Sequence, residues 1–338
     1  MSSRIILRMF LYLGIGCLAV VVALMLTNGW KNARGYSLPP DELTARGNAD
    51  KPSATPMPAP KVDPLPQFLP AHTALATIDL QQYPWLKQYD PQNLLINRFA
   101  PPEGFVVEQS PANSFGYWLQ RLPLLAGRGE VHLYSRAIKT NQNIHLAVVD
   151  LDVGPKDLQQ CADSIIRLRS EYLWGQSRAK EVHFNFTSGD RAEWTKWSEG
   201  FRPEVASTVR WRRTATADNS YTAFHSYLDT VFKYAGTASL RKELVPVTSP
   251  ADIRVGDVFI AGRDGVRAGH CVIVVNVAQN AAGRRLFMIA QGFLPAQEME
   301  VLINPTSPQS GAWYAADFGQ TLVTPEWAFK AADLRRFP

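Results

Sequence analysis

The chain has 338 residues, of which 46% are hydrophobic and 19% charged, enough apolar material for a sizeable core and too much for a globally disordered protein. Its net charge of +5 comes from Lys and Arg scattered along the sequence rather than gathered into a stripe with aromatics, so nucleic-acid binding is not indicated. Three cysteines, Cys17, Cys161 and Cys271, exclude a disulfide framework.

Arg4 and Arg8 precede an uncharged apolar run from Met9 to Leu26, which as a helix would be about 27 Å long, close to the thickness of a bilayer core. It is longer than a signal-peptide core and lacks a small-x-small cleavage site, so residues 1–30 read as an uncleaved single-pass anchor. "LGIGC" around Cys17 resembles a lipoprotein box, with Gly14 where Leu is usual. Residues 31–70 hold eight prolines between Pro39 and Pro66 and show no hydrophobic periodicity, the signature of a linker. Lys31 and Arg34 on the far flank weaken the charge asymmetry set up by Arg4 and Arg8. The expected location is a bacterial inner membrane, with residues 75–338 forming one globular domain on the periplasmic side.

In that domain "NSFGYWLQRLPLL" reads as a short helix capped by Asn113 or Ser114. "EVHLYSRAIKTNQNIHLAVVDLDV" reads as two strands with His132 and His145 near facing positions. No third ligand stands beside these histidines, and no metal or cofactor is expected. "GPKDLQQCADSIIRLRSEYLW" is the clearest helix. Asp157 with Gln160, or Pro155 in the first turn, would start it, placing Cys161 within about a turn and a half of the N-terminus and facing inward. "EVHFNFTS" and "STVRWRRTA" read as strands, "DRAEWTKWSEGF" as a short helix, and "SYTAFHSYLDTVFKYAG" as an amphipathic helix ended by Gly236.

"GHCVIVVNVAQNAAGRRLFMIAQG" reads as an antiparallel hairpin buried on both faces. Pairing centred between Asn280 and Ala281 sets His270 opposite Gln291 on a shared face, whereas a bulge at Gly283 would turn Gln291 away. A cysteine hydrolase needs a thiolate, a histidine to share its proton and a polar group to orient the imidazole. A helix N-terminus lowers a thiol's pKa, so Cys161, His270 and Gln291 are the candidate catalytic residues. If His270 faces Cys161, alternation turns Cys271 away; a Cys161–Cys271 disulfide is then the competing reading. Alternating helices and strands that finish on an antiparallel hairpin give an α+β class, a helix packed on an antiparallel sheet.

"VGDVFI" followed by "GHCVIVVNV" resembles the corresponding stretches of the NlpC/P60 group of papain-like cysteine peptidases. That resemblance implies Cys161 as nucleophile, His270 as general base and Gln291 as orienting group. Three departures stand out: "QQCAD" replaces the usual Asp-Cys-Ser, 109 residues separate Cys161 from His270, and the third residue lies later in the chain. Six segments, "SFGYWLQRLPL", "LQQCADSIIRLRSEYL", "GDVFI", "GHCVIVV", "AQGFLPAQEMEVL" and "TPEWAF", resemble the bacterial domain of unknown function 4846 over Leu94 to Phe337. That family implies a cell-envelope protein and supplies no activity.

The expected function is an envelope-anchored hydrolase of cell-wall peptide amide bonds. Its partners would be peptidoglycan peptides and, through the anchor, the membrane, with Tyr172, Trp174 and Pro295–Gln297 lining a cleft. The rival is a non-catalytic periplasmic module binding cell-wall glycan or a protein through Trp194, Trp197, Trp211 and Trp313. A glycosidase reading has only the scattered acids Asp150, Asp152 and Asp163 behind it.

Overall fold

The computed structural model describes residues 74–206, 208–262 and 269–338. The anchor, Cys17 and the proline-rich linker lie outside the described residues, and among those described no helix is long and apolar enough to cross a membrane.

Nine strands form one mixed-length antiparallel sheet: β1 (Phe105–Val107), β2 (His145–Val148), β3 (Val245–Pro246), β4 (Val258–Ala261), β5 (His270–Asn280), β6 (Arg285–Gln291), β7 (Glu300–Leu302), β8 (Tyr314–Ala315) and β9 (Leu334–Arg336). The order is β2-β7-β6-β5-β4-β9-β3, with β1 extending the line of β4 along β5 and β8 extending that of β7 along β6. Helices α1 (Phe115–Gln120), α2 (Cys161–Gly175) and α3 (Tyr221–Tyr234) lie on one side. The chain is therefore α+β with an antiparallel sheet at its centre.

β5 is the axis of the molecule, and its first nine residues are all buried. A strand covered on both faces reads as a continuous apolar run, as "CVIVV" does. Alternation divides that run. Cys271, Ile273 and Val275 join the core beneath the helices, while Val272, Val274 and Val277 pack with Phe259, Phe287, Tyr314 and Phe329 on the other face. Each such side chain stabilises the fold by about 1.5–3 kcal/mol on burial.

The β5–β6 hairpin departs from the predicted register. Its turn spans Asn280 to Arg284, with Gly283 at φ +79°, and Arg285 opposes Gln279. Continued without irregularity, this pairing would set Gln291 opposite Ile273, on the face away from His270. Between Asn276, opposite Met288, and Val274, opposite Ile289, β5 carries one extra residue, Val275. Past that bulge Ala290 opposes Ile273, so Gln291 falls in line with Val272, on the same face as His270. Two irregularities thus cancel, and the shared face predicted from a simpler turn is recovered by another route.

Four further expectations change. The stretch around His132 forms only isolated bridges, to Ile138 and from Leu133 to Gln297, so it does not pair with β2. α2 begins at Cys161 itself, with Gln160 as N-cap and Asp163 accepting from the Gln160 N–H at 3.2 Å; Asp157 lies ahead of the helix, where it accepts from Gln160 Nε2 at 3.2 Å and from the Ala296 N–H at 2.7 Å. Gly236 does not simply end α3: it caps a further helix, Thr237–Glu243. Arg191–Glu193 is a strand paired with His183–Asn185, leaving only Trp194–Ser198 helical.

The "GD" of "VGDVFI" has a structural role. Asp257 accepts the Arg254 N–H at 2.8 Å and two hydrogen bonds from Arg336, 2.6 and 2.8 Å, which tie the last strand to the sheet. Gly256 at φ +94° makes the turn that brings this carboxylate inward.

Candidate active site

Cys161 is the first residue of α2, buried at 9% exposure, and its thiol is free. Side chains on a helix tilt toward its N-terminus, so this one projects past the helix end onto the start of β5. There the Cys271 side chain and N–H and the His270 ring are the groups that act on it. The competing reading, a Cys161–Cys271 disulfide, is not formed: both thiols are free. Cys271 occupies the helix-facing side by strand alternation, and His270 stands beside it at the strand's first position.

The hydrogen bond from Cys271 holds the Cys161 thiol well below its usual range, against burial, with the His270 hydrogen bond and charge acting in the same direction. Burial pushes the Cys271 thiol well up, and its neighbour pushes it further. Asp163, one turn into α2, is likewise driven well up by burial and then by Cys161.

His270 is 3% exposed and set among Phe293, Trp327 and Phe329, with ring centroids at 4.9, 5.3 and 5.9 Å. Its Nε2 lies 2.9 Å from Gln291 Oε1. The orientation of that amide follows from its other end, where Gln291 Nε2 donates to Glu300 Oε1 at 2.9 Å and Glu326 Oε2 at 2.7 Å. An oxygen turned toward two carboxylates would be repelled, so the oxygen faces the imidazole. It accepts from Nε2–H, which leaves the Nδ1 lone pair as the ring's proton acceptor.

Two glycines permit this close assembly. A Cβ on Gly292 would collide with Ser164 Oγ and come within 3.1 Å of the Gln160 carbonyl, and one on Gly269 would collide with Thr237 Oγ1 and lie 2.7 Å from the Ala261 carbonyl.

Lys139 Nζ binds the same two carboxylate oxygens, Glu300 Oε1 at 2.6 Å and Glu326 Oε2 at 2.7 Å, and Gln297 Nε2 adds a bond to Glu300 Oε1 at 2.9 Å. Sequence reading missed Lys139, Glu300 and Glu326. The available signal was the charge of Glu300 within the otherwise apolar "MEVL" strand.

Other expected site residues go elsewhere. Trp194, Trp197 and Trp313 are buried at 3, 6 and 4% exposure, so they are core rather than a glycan platform, and Trp211 stacks on Phe186. Tyr172 donates its hydroxyl to the Asn113 carbonyl, and Trp174 packs against Trp194, Tyr221 and Phe224. His132 Nδ1 meets Glu298 at 3.2 Å while His145 Nε2 meets the Gly129 carbonyl at 3.1 Å. They do not converge, and among the described residues no cluster of three or more His, Cys, Asp or Glu suits a metal. Asp163 caps α2 and Asp152 faces Arg167 at 3.8 Å, so the three acids do not act together. A cleft of about 280 Å³ opens between α1 and the C-terminal strand, lined by residues such as Ser114, Arg169, Arg254 and Phe337, and includes none of Cys161, His270 or Gln291.

Fold and site together define an α+β domain with a thiol at a helix start, set against an imidazole and an amide from an antiparallel hairpin. The family described as Domain of unknown function (4846) matches residues 95–336, most of the chain, and the chain belongs to it. No curated protein and no solved structure matches the chain.

Proposed function

We propose that the domain is a papain-like cysteine hydrolase of the NlpC/P60 type, acting on an amide bond of cell-wall peptides from an envelope anchor. The observation that carries this reading is the His270–Gln291 hydrogen bond beside the Cys161 helix start, which holds Nε2 of the imidazole and leaves Nδ1 to take the thiol proton. In this scheme the Cys161 thiolate attacks the amide carbonyl, and the Cys161 N–H at the helix start stabilises the oxyanion. His270 returns the proton to the leaving amine as the C–N bond breaks. Water, deprotonated by His270, then cleaves the thioester and restores the thiol. The apolar run Met9–Leu26 and the proline-rich stretch behind it support the envelope location, and cell-wall stem peptides are the amide substrates within reach there.

A second reading, a non-catalytic module that binds cell-wall glycan or a protein, is favoured by one observation: Cys161 is only 9% exposed. One experiment separates the two. The pH dependence of iodoacetamide alkylation at Cys161 is followed in the native full chain, with peptide mapping to distinguish it from Cys17 and Cys271. The hydrolase reading expects reaction well below the free-thiol pKa of about 8.5, shifted upward in His270→Ala. Reaction only after denaturation would leave the binding module.

A further inference from the structure

The sequence and the fold leave Lys139, Glu300 and Glu326 without an obvious purpose. They come from three distant parts of the chain, and two of them are nearly inaccessible, Glu300 at 0% and Lys139 at 7% exposure. Burying two carboxylates against one ammonium is costly, and a hydrophobic cluster of the same volume would hold the strands together as well. What such a cluster would not do is orient an amide. Gln291 has two Nε2 hydrogens, and each is taken by a separate carboxylate.

We propose that Glu300 and Glu326, held in place by Lys139, are positioning residues that select the tautomer of His270 through Gln291. The glutamine amide has two orientations of nearly equal shape. In one, Oε1 accepts from imidazole Nε2–H and leaves Nδ1 bare; in the other, the NH₂ group faces Nε2, which must then be the unprotonated nitrogen, and the proton sits on Nδ1. An Nδ1–H imidazole cannot accept the proton of Cys161. Contact with His270 alone does not choose between these orientations, because either atom of the amide finds a complement on the ring. The carboxylates do choose, since only the NH₂ group can face two anions. Lys139 bonds to the same two oxygens that receive the amide and so fixes them at the spacing the two N–H vectors require. Gln297 gives Glu300 Oε1 another donor beside Lys139 and Gln291, so the inner carboxylate is held by three groups on that oxygen. Glu326 stands at the rim, with its side chain 16% exposed. The inference rests on the hydrolase reading for its catalytic meaning, but its physical content is the position of one proton.

The test is to label the six histidines of the full chain with ¹⁵N in the ring and read the His270 tautomer from long-range ¹H–¹⁵N couplings, assigned with His270→Ala. The native chain is expected to show Nε2–H. Glu326→Gln, at the rim and the variant best placed to fold, and Glu300→Gln combined with Lys139→Met are expected to populate Nδ1–H and to lower the turnover of stem peptide by about 10²–10⁴-fold, the range for loss of a correctly protonated base. Glu326→Asp, which keeps the acceptor, should restore Nε2–H. A native chain whose His270 carries a proton on Nδ1 and none on Nε2 overturns the proposal without any variant, and so does a folded Glu326→Gln or Glu300→Gln/Lys139→Met protein whose neutral His270 stays fully Nε2–H. If the native chain shows Nε2–H, the variants shift it, and Cys161 nonetheless fails to alkylate natively, the positioning stands and only the hydrolase reading falls.

Discussion

Two buried charge clusters sit at opposite ends of the central sheet and use carboxylates for different ends. Asp257 meets one guanidinium in a closed bidentate pair, and all that the pair does is fasten the last strand. Glu300 and Glu326 share one ammonium and have acceptor capacity left over, which they spend on Gln291. The contrast teaches that counting buried ion pairs says little about their role. What separates a strut from a setting device is the presence of a neutral, reversible group on the unsatisfied side.

The largest effects expected are at the proposed catalytic pair. Cys161→Ala should abolish amide hydrolysis and His270→Ala should lower it by about 10²–10⁴-fold, measured with a synthetic stem peptide by chromatography. Changes in the Asp257 pair should leave that turnover intact in whatever fraction stays folded, and a proportional loss from Arg336→Met would break the distinction between the clusters. In stability the order is also defined. Lys139→Met strands two carboxylates and should cost about 3–5 kcal/mol by urea unfolding. Arg336→Met strands one, beside a partly solvated surface, and should cost about 2–3 kcal/mol.

A carboxyl with neither kind of partner sharpens the comparison at its small end. Burial pushes Glu243 up to about 7, against the hydrogen bond from the Asn185 N–H and the charge of Arg191. The folded chain holds that proton more tightly than the unfolded chain. Its contribution to stability is therefore fully present below a pH of about 4.5 and lost as pH rises through about 7. Glu243→Gln should flatten this part of the profile of Tm against pH. An unchanged slope would mean that Glu243 is as well solvated as a surface acid.

Legibility in the sequence followed the range of the interactions. Helix α1 with its Ser114 cap, α2, α3 and the β5–β6 hairpin are each written in a continuous stretch by periodicity, caps or turn residues. The pairing of His270 with Gln291 was also readable, though through a register that the bulge at Val275 had to correct. Local patterning does not encode where a strand takes one extra residue, because that depends on how both neighbours pack. The Trp residues misled for the opposite reason: Trp194 and Trp197 sit in a short polar helix whose inward side only the contacts with Phe224 and Tyr227 reveal. Lys139, Glu300 and Glu326 were invisible as a set, since Lys139 and Glu326 are 187 positions apart. Yet two of the segments that carry the family resemblance, "AQGFLPAQEMEVL" and "TPEWAF", hold Gln291, Gln297, Glu300, Glu326 and Trp327.

That wide spacing has a meaning in time as well as in space. During synthesis α2 and its thiol emerge long before Glu326, and chains build their domains in the order in which they leave the ribosome. Until residues 324–329 have been made and docked, the Gln291 amide has only one of the two carboxylates that orient it. A nascent or truncated chain would therefore carry His270 and Gln291 with the amide half set until the last of the domain has docked.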